Sequence, residues 1–190
     1  RIAEAGARRF ADTGCRVDEA GPGFPSPEEP FNIVFAGSMA ARLADKLAEW
    51  RDRFDPGLVE VLEYGMRFSA VDFVHAANWR RTLGEAFRRF FARYDLLLTP
   101  TLAAPPLPVG INHYQEIGGR KVGHSGWFAF TYPINLTGFP AATVPCGFTA
   151  DGLPVGLQII GPRLADALVL RAAAAFEAVA PWAGNRPPLG

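Results

Sequence analysis

A chain of 190 residues has room for one domain with a sizeable core and is short for two. Its nineteen basic and nineteen acidic side chains cancel, which leaves no positive stripe for a nucleic-acid backbone or an anionic membrane surface. Every apolar run is broken by charge, Gly or Pro before it reaches membrane-spanning length, and the first ten residues lack the apolar centre of a secretion signal.

The chain opens in mid-pattern. Ile2, Ala5, Gly6 and Phe10 share one helical face, and Thr13-Gly14 supplies a stop, so an amphipathic helix is expected there. A start inside a helix pattern is what a piece of a longer protein would show. A short strand over Cys15 to Val17 should follow. Gly21 to Pro30, with four prolines and two glycines, reads as a loop. Helical patterning resumes from Phe31 to Trp50, and Asp55-Pro56 caps a further helix to about Tyr64. The strongest helix is expected between Ala70 and Tyr94, where Phe73, Ala76, Ala77, Leu83, Phe87, Phe90, Phe91 and Tyr94 keep the helical interval. Arg80, Arg81, Arg88 and Arg93 fall mostly between them, as on a solvated outer face.

Asp95 to Leu98 reads as a buried strand that feeds the Pro-rich loop from Thr99. Gly118-Gly119 marks a tight turn between Tyr114 to Ile117 and Arg120 to Val122. Ala141 to Phe148 and Val155 to Ile160 form two apolar strands joined through Asp151-Gly152, and an antiparallel pairing is expected. Gln158, set in an otherwise apolar run, should bond backbone or a neighbouring loop inside the core. A last helix places Leu164, Leu168, Ala172, Ala175 and Phe176 on one face, and 181–190 forms a Pro- and Gly-rich tail. Strands separated by helices give an α/β layered domain without repeats, its sheet covered on both faces.

Three stretches, in order, resemble the amidase-signature enzymes: Tyr94-Asp95-Leu96-Leu97-Leu98-Thr99-Pro100-Thr101; Asn135-Leu136-Thr137-Gly138-Phe139-Pro140-Ala141 running into Val144-Pro145-Cys146-Gly147-Phe148; and Gly152-Leu153-Pro154-Val155-Gly156-Leu157-Gln158-Ile159-Ile160-Gly161. The resemblance spans nearly the whole chain. It implies a three-layer α/β/α fold around a mixed sheet, of which residues 1–190 are the C-terminal part of an amidase. It also implies a substrate channel whose wall these segments help to form.

The family cleaves or transfers amides with a Ser, a second Ser on a cis peptide and a Lys, set in a Gly/Ser-rich run that precedes the part resembled here. Amide hydrolysis needs an activated hydroxyl, a base that later protonates the leaving amine, and donors for the oxyanion. Ser26, Ser38, Ser69 and Ser125 are the only serines and Lys46 and Lys121 the only lysines; no serine adjoins another. No catalytic residue is therefore assigned, and this chain alone is expected to be inactive. A home-made dyad of Lys121 and Ser125, beside His124, would need a helix that Gly118, Gly119 and Gly123 disfavour. His75 and His113 lack spaced partners for a metal, and no metal or cofactor is expected.

The resemblance implies that the loop after Leu98 and the segment from Trp127 to Asn135 approach the mouth of the acyl site. The substrate-contact candidates are Thr99, Thr101, Trp127, Phe128, Thr131 and Asn135. For Thr99, Thr101, Thr131 and Asn135 the alternative is turn chemistry and helix capping. One departure bears on substrate. In the glutaminase subunits of transfer-RNA amidotransferases, an Asp three residues before the Thr helps to bind the amino-acid ammonium, whereas here Phe128 stands at that position. A buried ammonium without a carboxylate would be unpaired and costly, so an apolar or aromatic amide is expected instead of glutamine. An Arg near Arg80 or Arg81 binds a carboxylate in such relatives, and the spacing leaves open which of the two corresponds. The alternatives are the A component of a glutamyl-tRNA(Gln) amidotransferase and a non-catalytic binding domain. Expected partners are a small amide and the remainder of the amidase polypeptide, with a homo-oligomer if a severed sheet edge is exposed. Cys15 and Cys146 read as reduced core thiols of a cytoplasmic protein, with a disulfide as the alternative.

Overall fold

The computed structural model describes residues 1–185. In chain order its helices are α1 (Ile2–Arg8), α2 (Glu28–Leu43), α3 (Leu47–Trp50), α4 (Pro56–Gly65) and α5 (Ala70–Phe91). Strands β1 (Leu97–Pro100), β2 (Glu116–Ile117) and β3 (Arg120–Lys121) follow, then α6 (Tyr132–Thr137), β4 (Ala141–Phe148), β5 (Pro154–Ile160) and α7 (Asp166–Val179). Two units result: Arg1–Gly23 with the chain from Phe87 onward, and Phe24–Ala86.

The first unit is built on a sheet of order β1-β5-β4. Both pairings are antiparallel, with Leu98 opposite Ile159 and Ala142 opposite the same residue. The pairing of β4 with β5 follows from the short turn at Asp151-Gly152, whose Gly152 takes φ +78; antiparallel neighbours need no crossover. Among the described residues no pairing in this sheet is parallel. Because side chains alternate along a strand, Leu157 and Ile159 of β5 point to one face. There they join Val144, Phe10, Val169, Ala172 and Phe176 in one buried cluster. Phe10 stacks on Phe176 with ring centroids 5.3 Å apart. Gly6 lets α1 lie close on β4, because a Cβ there would stand 2.6 Å from the Cβ of Cys146. Gln158 and Ile160 alternate to the opposite face and are buried as well, so β5 is covered on both sides.

Several local expectations are corrected. In α1 the buried residues are Ala3 and Gly6, while Ala5 is exposed; small residues at that face permit the close approach to β4. Cys15 to Val17 form no strand, and all three are exposed. With no neighbour to complete a ladder, the segment stays irregular beyond Gly14, whose φ of +85 ends the first helical stretch. Cys15 is consequently no core thiol; it is exposed and free, and Cys146 is free and partly buried. β1 runs two residues later than expected, to Pro100, which is opposite Leu157. Pro is tolerated there because, among the described residues, β1 has a neighbour on one side only. The Gly118-Gly119 hairpin is as expected, with φ of +58 and +77. Of the tail expected over 181–190, Trp182 packs against the Phe10–Phe176 cluster, and 186–190 lie outside the described residues.

The second unit is helical. The single helix expected over Phe31 to Trp50 breaks after α2, where Leu43 leaves helical backbone at φ −130. A tight turn over Ala44–Lys46, which holds no buried residue, leads into α3 and its buried Leu47. Asp55 caps α4 by accepting from the amides of Gly57 and Leu58 at 2.9 and 3.2 Å. Gly65 marks the contact of α4 with α2, since a Cβ there would lie 2.1 Å from the Ala36 carbonyl oxygen. At the start of α5, Ser69 and Asp72 bond reciprocally: the Ser69 amide donates to Asp72 Oδ2 at 2.9 Å and the Asp72 amide to Ser69 Oγ at 3.2 Å. No helix among the described residues is long and apolar enough to cross a membrane.

Candidate functional site

The face of the sheet opposite α1 and α7 carries a polar row. The register sets Thr99 of β1 and Thr143 of β4 on either side of Gln158. Strand parity then brings Thr101, just beyond β1, and Gly156 to the same face. The Thr101 amide donates to the Gly156 carbonyl at 3.0 Å. The hydroxyls of Thr101 and Thr143 bond to each other directly over Gly156, where a Cβ would stand 2.6 Å from Thr101 Oγ1 and 2.9 Å from Thr143 Oγ1. The absence of a side chain at Gly156 is what lets the two hydroxyls meet.

Gln158 is 5% exposed. Its Nε2 donates to Thr99 Oγ1 at 3.0 Å and to the carbonyl of Phe130 at 2.9 Å, so both amide hydrogens are used, as burial of a primary amide demands. The second bond reaches the turn that precedes α6. That turn begins with a tight helical stretch over Gly126–Phe128. It is also tied to the loop after β1, through the Ala103 amide donating to the Trp127 carbonyl at 2.9 Å. Phe128 stands edge-on to Trp127, with centroids 5.2 Å apart, and to Tyr132 at 5.8 Å, in the T-shaped geometry that aromatic pairs favour. The indole N–H of Trp127 is buried and has no hydrogen-bond partner among the described residues.

Of the six residues expected from the sequence, Thr99 and Thr101 therefore lie on the polar face, and Trp127, Phe128 and Thr131 lie on the turn that Gln158 holds. Thr131 spends its hydroxyl within the turn, donating to the Phe128 carbonyl at 3.0 Å, and makes no side-chain cap to α6. Asn135 is on α6 with its side chain exposed, and its amide donates to the Thr131 carbonyl at 3.2 Å. Thr143 was not anticipated. The signal for it was the hairpin register, which aligns it with Gln158, but that register is fixed by a bulge between Pro145 and Gly147 that spacing does not reveal.

Lys121 sits in β3, Ser125 is 1% exposed and His124 lies in the intervening loop, so the shared helical face that a Lys–Ser dyad needs does not form. The His124 ring stands 4.8 Å from that of His113, which accepts from or donates to Gln115 at 2.9 Å. Among the described residues no group of three or more His, Cys, Asp or Glu side chains is placed to hold a metal. Arg80 and Arg81 lie on α5 in the helical unit, both exposed. A shallow cleft lined by Glu29, Ile33, Asp72, His75 and Trp79 also belongs to that unit and shares no residue with the polar row.

Cys146 lies beyond the polar row on β4, on the core side. Burial pushes its thiol above the ordinary value, because a thiolate there would lose its hydration, and the S–H donates to the Val155 carbonyl at 3.3 Å.

One face of the sheet is thus packed by helices, and the other sets hydroxyls and an amide against an aromatic turn. The amidase family model matches residues 33–170, and the chain belongs to the amidase-signature family. It is 37% identical to an acylamidase of Rhodococcus erythropolis over 94% of this chain and 38% of that protein. It is 38% identical to the A component of a glutamyl-tRNA(Gln) amidotransferase from a Synechococcus strain, over 62% of this chain and 22% of that one. The fold superposes on the crystal structure of a bacterial aryl acylamidase of the amidase-signature family with TM-score 0.87 and 28% identity, covering 98% of this chain and 42% of that chain. This chain thus spans about two fifths of the length of the acylamidases it matches.

Proposed function

We propose that this chain is the C-terminal part of an amidase that hydrolyses a carboxylic amide to acid and ammonia or amine. Its share is the later strands of the sheet and one wall of the acyl pocket, lined by Thr99, Thr101, Trp127, Phe128, Thr131 and Asn135. The Ser that attacks the carbonyl, and the cis-Ser and Lys that take its proton and pass one to the leaving amine, belong to the polypeptide that precedes these residues, which is the chain's partner. No cofactor is needed for the reaction, and a cytoplasmic location fits an enzyme with free thiols.

The observation that carries the substrate preference is the turn itself. From Gly126 to Tyr132 it offers Trp127, Phe128, Phe130 and Tyr132 and no carboxylate. An aromatic or aliphatic acyl or amine group gains from apolar burial there, whereas the ammonium of glutamine would be desolvated without a counter-charge. The full polypeptide that carries this segment is expected to favour an aryl amide over glutamine by at least about tenfold in kcat/KM, measured by release of the arylamine and of ammonia. Glutamine-dependent amidation of charged transfer RNA would overturn the reading in favour of an amidotransferase component, which the relative at 38% identity keeps as the second reading. Absence of turnover by the folded full polypeptide across aliphatic and aromatic amides would leave a non-catalytic binding domain.

A further inference from the structure

We infer that Gln158 is a positioning residue for substrate: its buried amide joins Thr99 to the Phe130 carbonyl and so sets where the aromatic turn stands against the sheet. The inference rests on the amide-hydrolase reading for its kinetic consequence, and on geometry alone for its structural one.

Burial of a primary amide in the middle of a sheet is costly unless both hydrogens and the oxygen find partners. The neighbours of Gln158 along β5 are Leu157, Ile159 and Ile160, all buried, and a Met or Leu at 158 would fill a similar volume without polar atoms to satisfy. What apolar packing does not supply is direction. Two carbonyls of the turn from Gly126 to Thr131 tie it to other segments of its unit: that of Trp127, held by the Ala103 amide at 2.9 Å, and that of Phe130, held by Gln158 at 2.9 Å. Phe128 lies between the two anchors, its ring set against Trp127 and Tyr132. Removal of the Gln158 bond loosens the arc between Trp127 and the start of α6, and the Phe128 ring moves with it.

The same amide orients Thr99. Because Thr99 Oγ1 accepts from Gln158 at 3.0 Å, its own hydroxyl hydrogen is directed elsewhere, which presents Thr99 as a donor on the polar face. Thr143, across Gln158 from Thr99, and Thr101, one row further on, are engaged with each other. Gln158 therefore controls two properties of the wall together, the position of its aromatic part and the polarity of its nearest hydroxyl.

The test is made in the full polypeptide, comparing wild type with Gln158→Met, which keeps the volume, and Gln158→Glu, which keeps the shape but sets an oxygen against the Phe130 carbonyl. Two substrates are used, an aryl amide large enough to reach the turn and a short aliphatic amide that does not. The expected result for both variants is a loss of about tenfold to a hundredfold in kcat/KM on the large amide. On the short amide the loss is less than about threefold, as for a group remote from the attacking atoms. Tm is expected to fall in both variants, more in Gln158→Glu, which buries a carboxylate, so the assays are run below both midpoints. Hydrogen exchange supplies a readout independent of turnover: the Phe128 and Thr131 amides, which donate to Ser125 and Phe128 carbonyls at 3.2 and 3.0 Å, are expected to exchange faster in the variants, while the amides of β5 do not. An equal loss on both substrates, or no loss on either, overturns the positioning role, as does unchanged exchange in the turn. If the wild-type polypeptide hydrolyses neither amide, the proposed function fails, and the exchange result alone decides the inference about Gln158.

Discussion

Gly156 shows how a single position can hold the site's polar face together. Glycine inside a strand costs roughly 0.5–1 kcal/mol relative to alanine through backbone freedom, and β5 accepts this because the hydroxyls of Thr101 and Thr143 occupy the space where a Cβ would be, at 2.6 and 2.9 Å. Both are β-branched side chains with little rotameric freedom, so they do not swing clear without losing their mutual hydrogen bond. Gly156→Ala is therefore expected to destabilise the protein by about 1–3 kcal/mol, the usual range for overpacking, despite the gain in strand propensity. Urea unfolding checks this, and combination with Thr101→Ala and Thr143→Ala should recover part of the loss. A fully additive triple variant would show that the hydroxyls are not what excludes a side chain there. Cys15 and Cys146 make the complementary point: the first lies among polar residues and is exposed, whereas the second lies in an apolar strand under α1 and is partly buried.

At the scale of elements, α4 and α5 begin with capping residues that fix where each helix starts. Asp55 supplies its carboxylate to two amides ahead of Pro56, which is itself suited to a first helical position. Ser69 and Asp72 satisfy each other's backbone amides, the reciprocal arrangement of a capping box. The Ser69 hydroxyl and amide, both donating, hold the Asp72 carboxyl below its ordinary value, since a charged carboxylate accepts hydrogen bonds better than a neutral one. A carboxylate with a lowered folded value contributes stability that is present above its unfolded pKa and is lost as pH falls through the folded one. The first turn of α5 is thus expected to fray selectively below the ordinary Asp range, and amide exchange at Phe73 and Val74 should accelerate there. In Ser69→Ala the same fraying should be present already at neutral pH. If that variant leaves exchange in the first turn unchanged at neutral pH, the cap is not what secures the helix. The helix α7 was legible in sequence but its face was not: Leu164 lies ahead of it, exposed at φ +65, and Ala175 is exposed, while Val169, Ala172 and Phe176 are buried. The hairpin of β4 and β5 and α4 were legible because each is specified by neighbours: a Gly turn and an Asp-Pro cap. The strand expected at Cys15 and the unbroken helix expected through Lys46 were not of that kind. Strand formation needs a partner, and helix continuation needs a surface that keeps the same face buried; neither is written in the segment itself.

For the molecule as a whole, the sheet is the feature with the largest consequence. Among the described residues β4 has one neighbour, β5, and its Ala141 and Thr143 are exposed. An eight-residue strand with a free edge and small outward side chains is a template for further pairing. Under the proposed function that edge and the polar face are covered by the preceding part of the enzyme. The isolated 190-residue chain is then expected to self-associate in sedimentation and to release no product from simple amides. Co-expression with the preceding part should suppress the association and restore turnover together. A monodisperse monomer at high concentration would count against an uncovered edge. Turnover by the isolated chain that is abolished by Ser125→Ala or Lys121→Ala would defeat the assignment of the nucleophile to the rest of the polypeptide.

The residue order by itself pointed to the family, through three stretches that resemble segments of amidase-signature enzymes, and it determined the want of a paired-serine run. It also showed that Gln158 must find partners inside the core, since a primary amide among Leu157, Ile159 and Ile160 has no water to bond. Tertiary structure alone decided which residues surround it. Thr99 and the Phe130 carbonyl, which accept from Gln158, lie 59 and 28 residues from it along the chain, and Thr143 faces it across the hairpin. Only strand register and the return of the turn over the sheet bring all three to one amide.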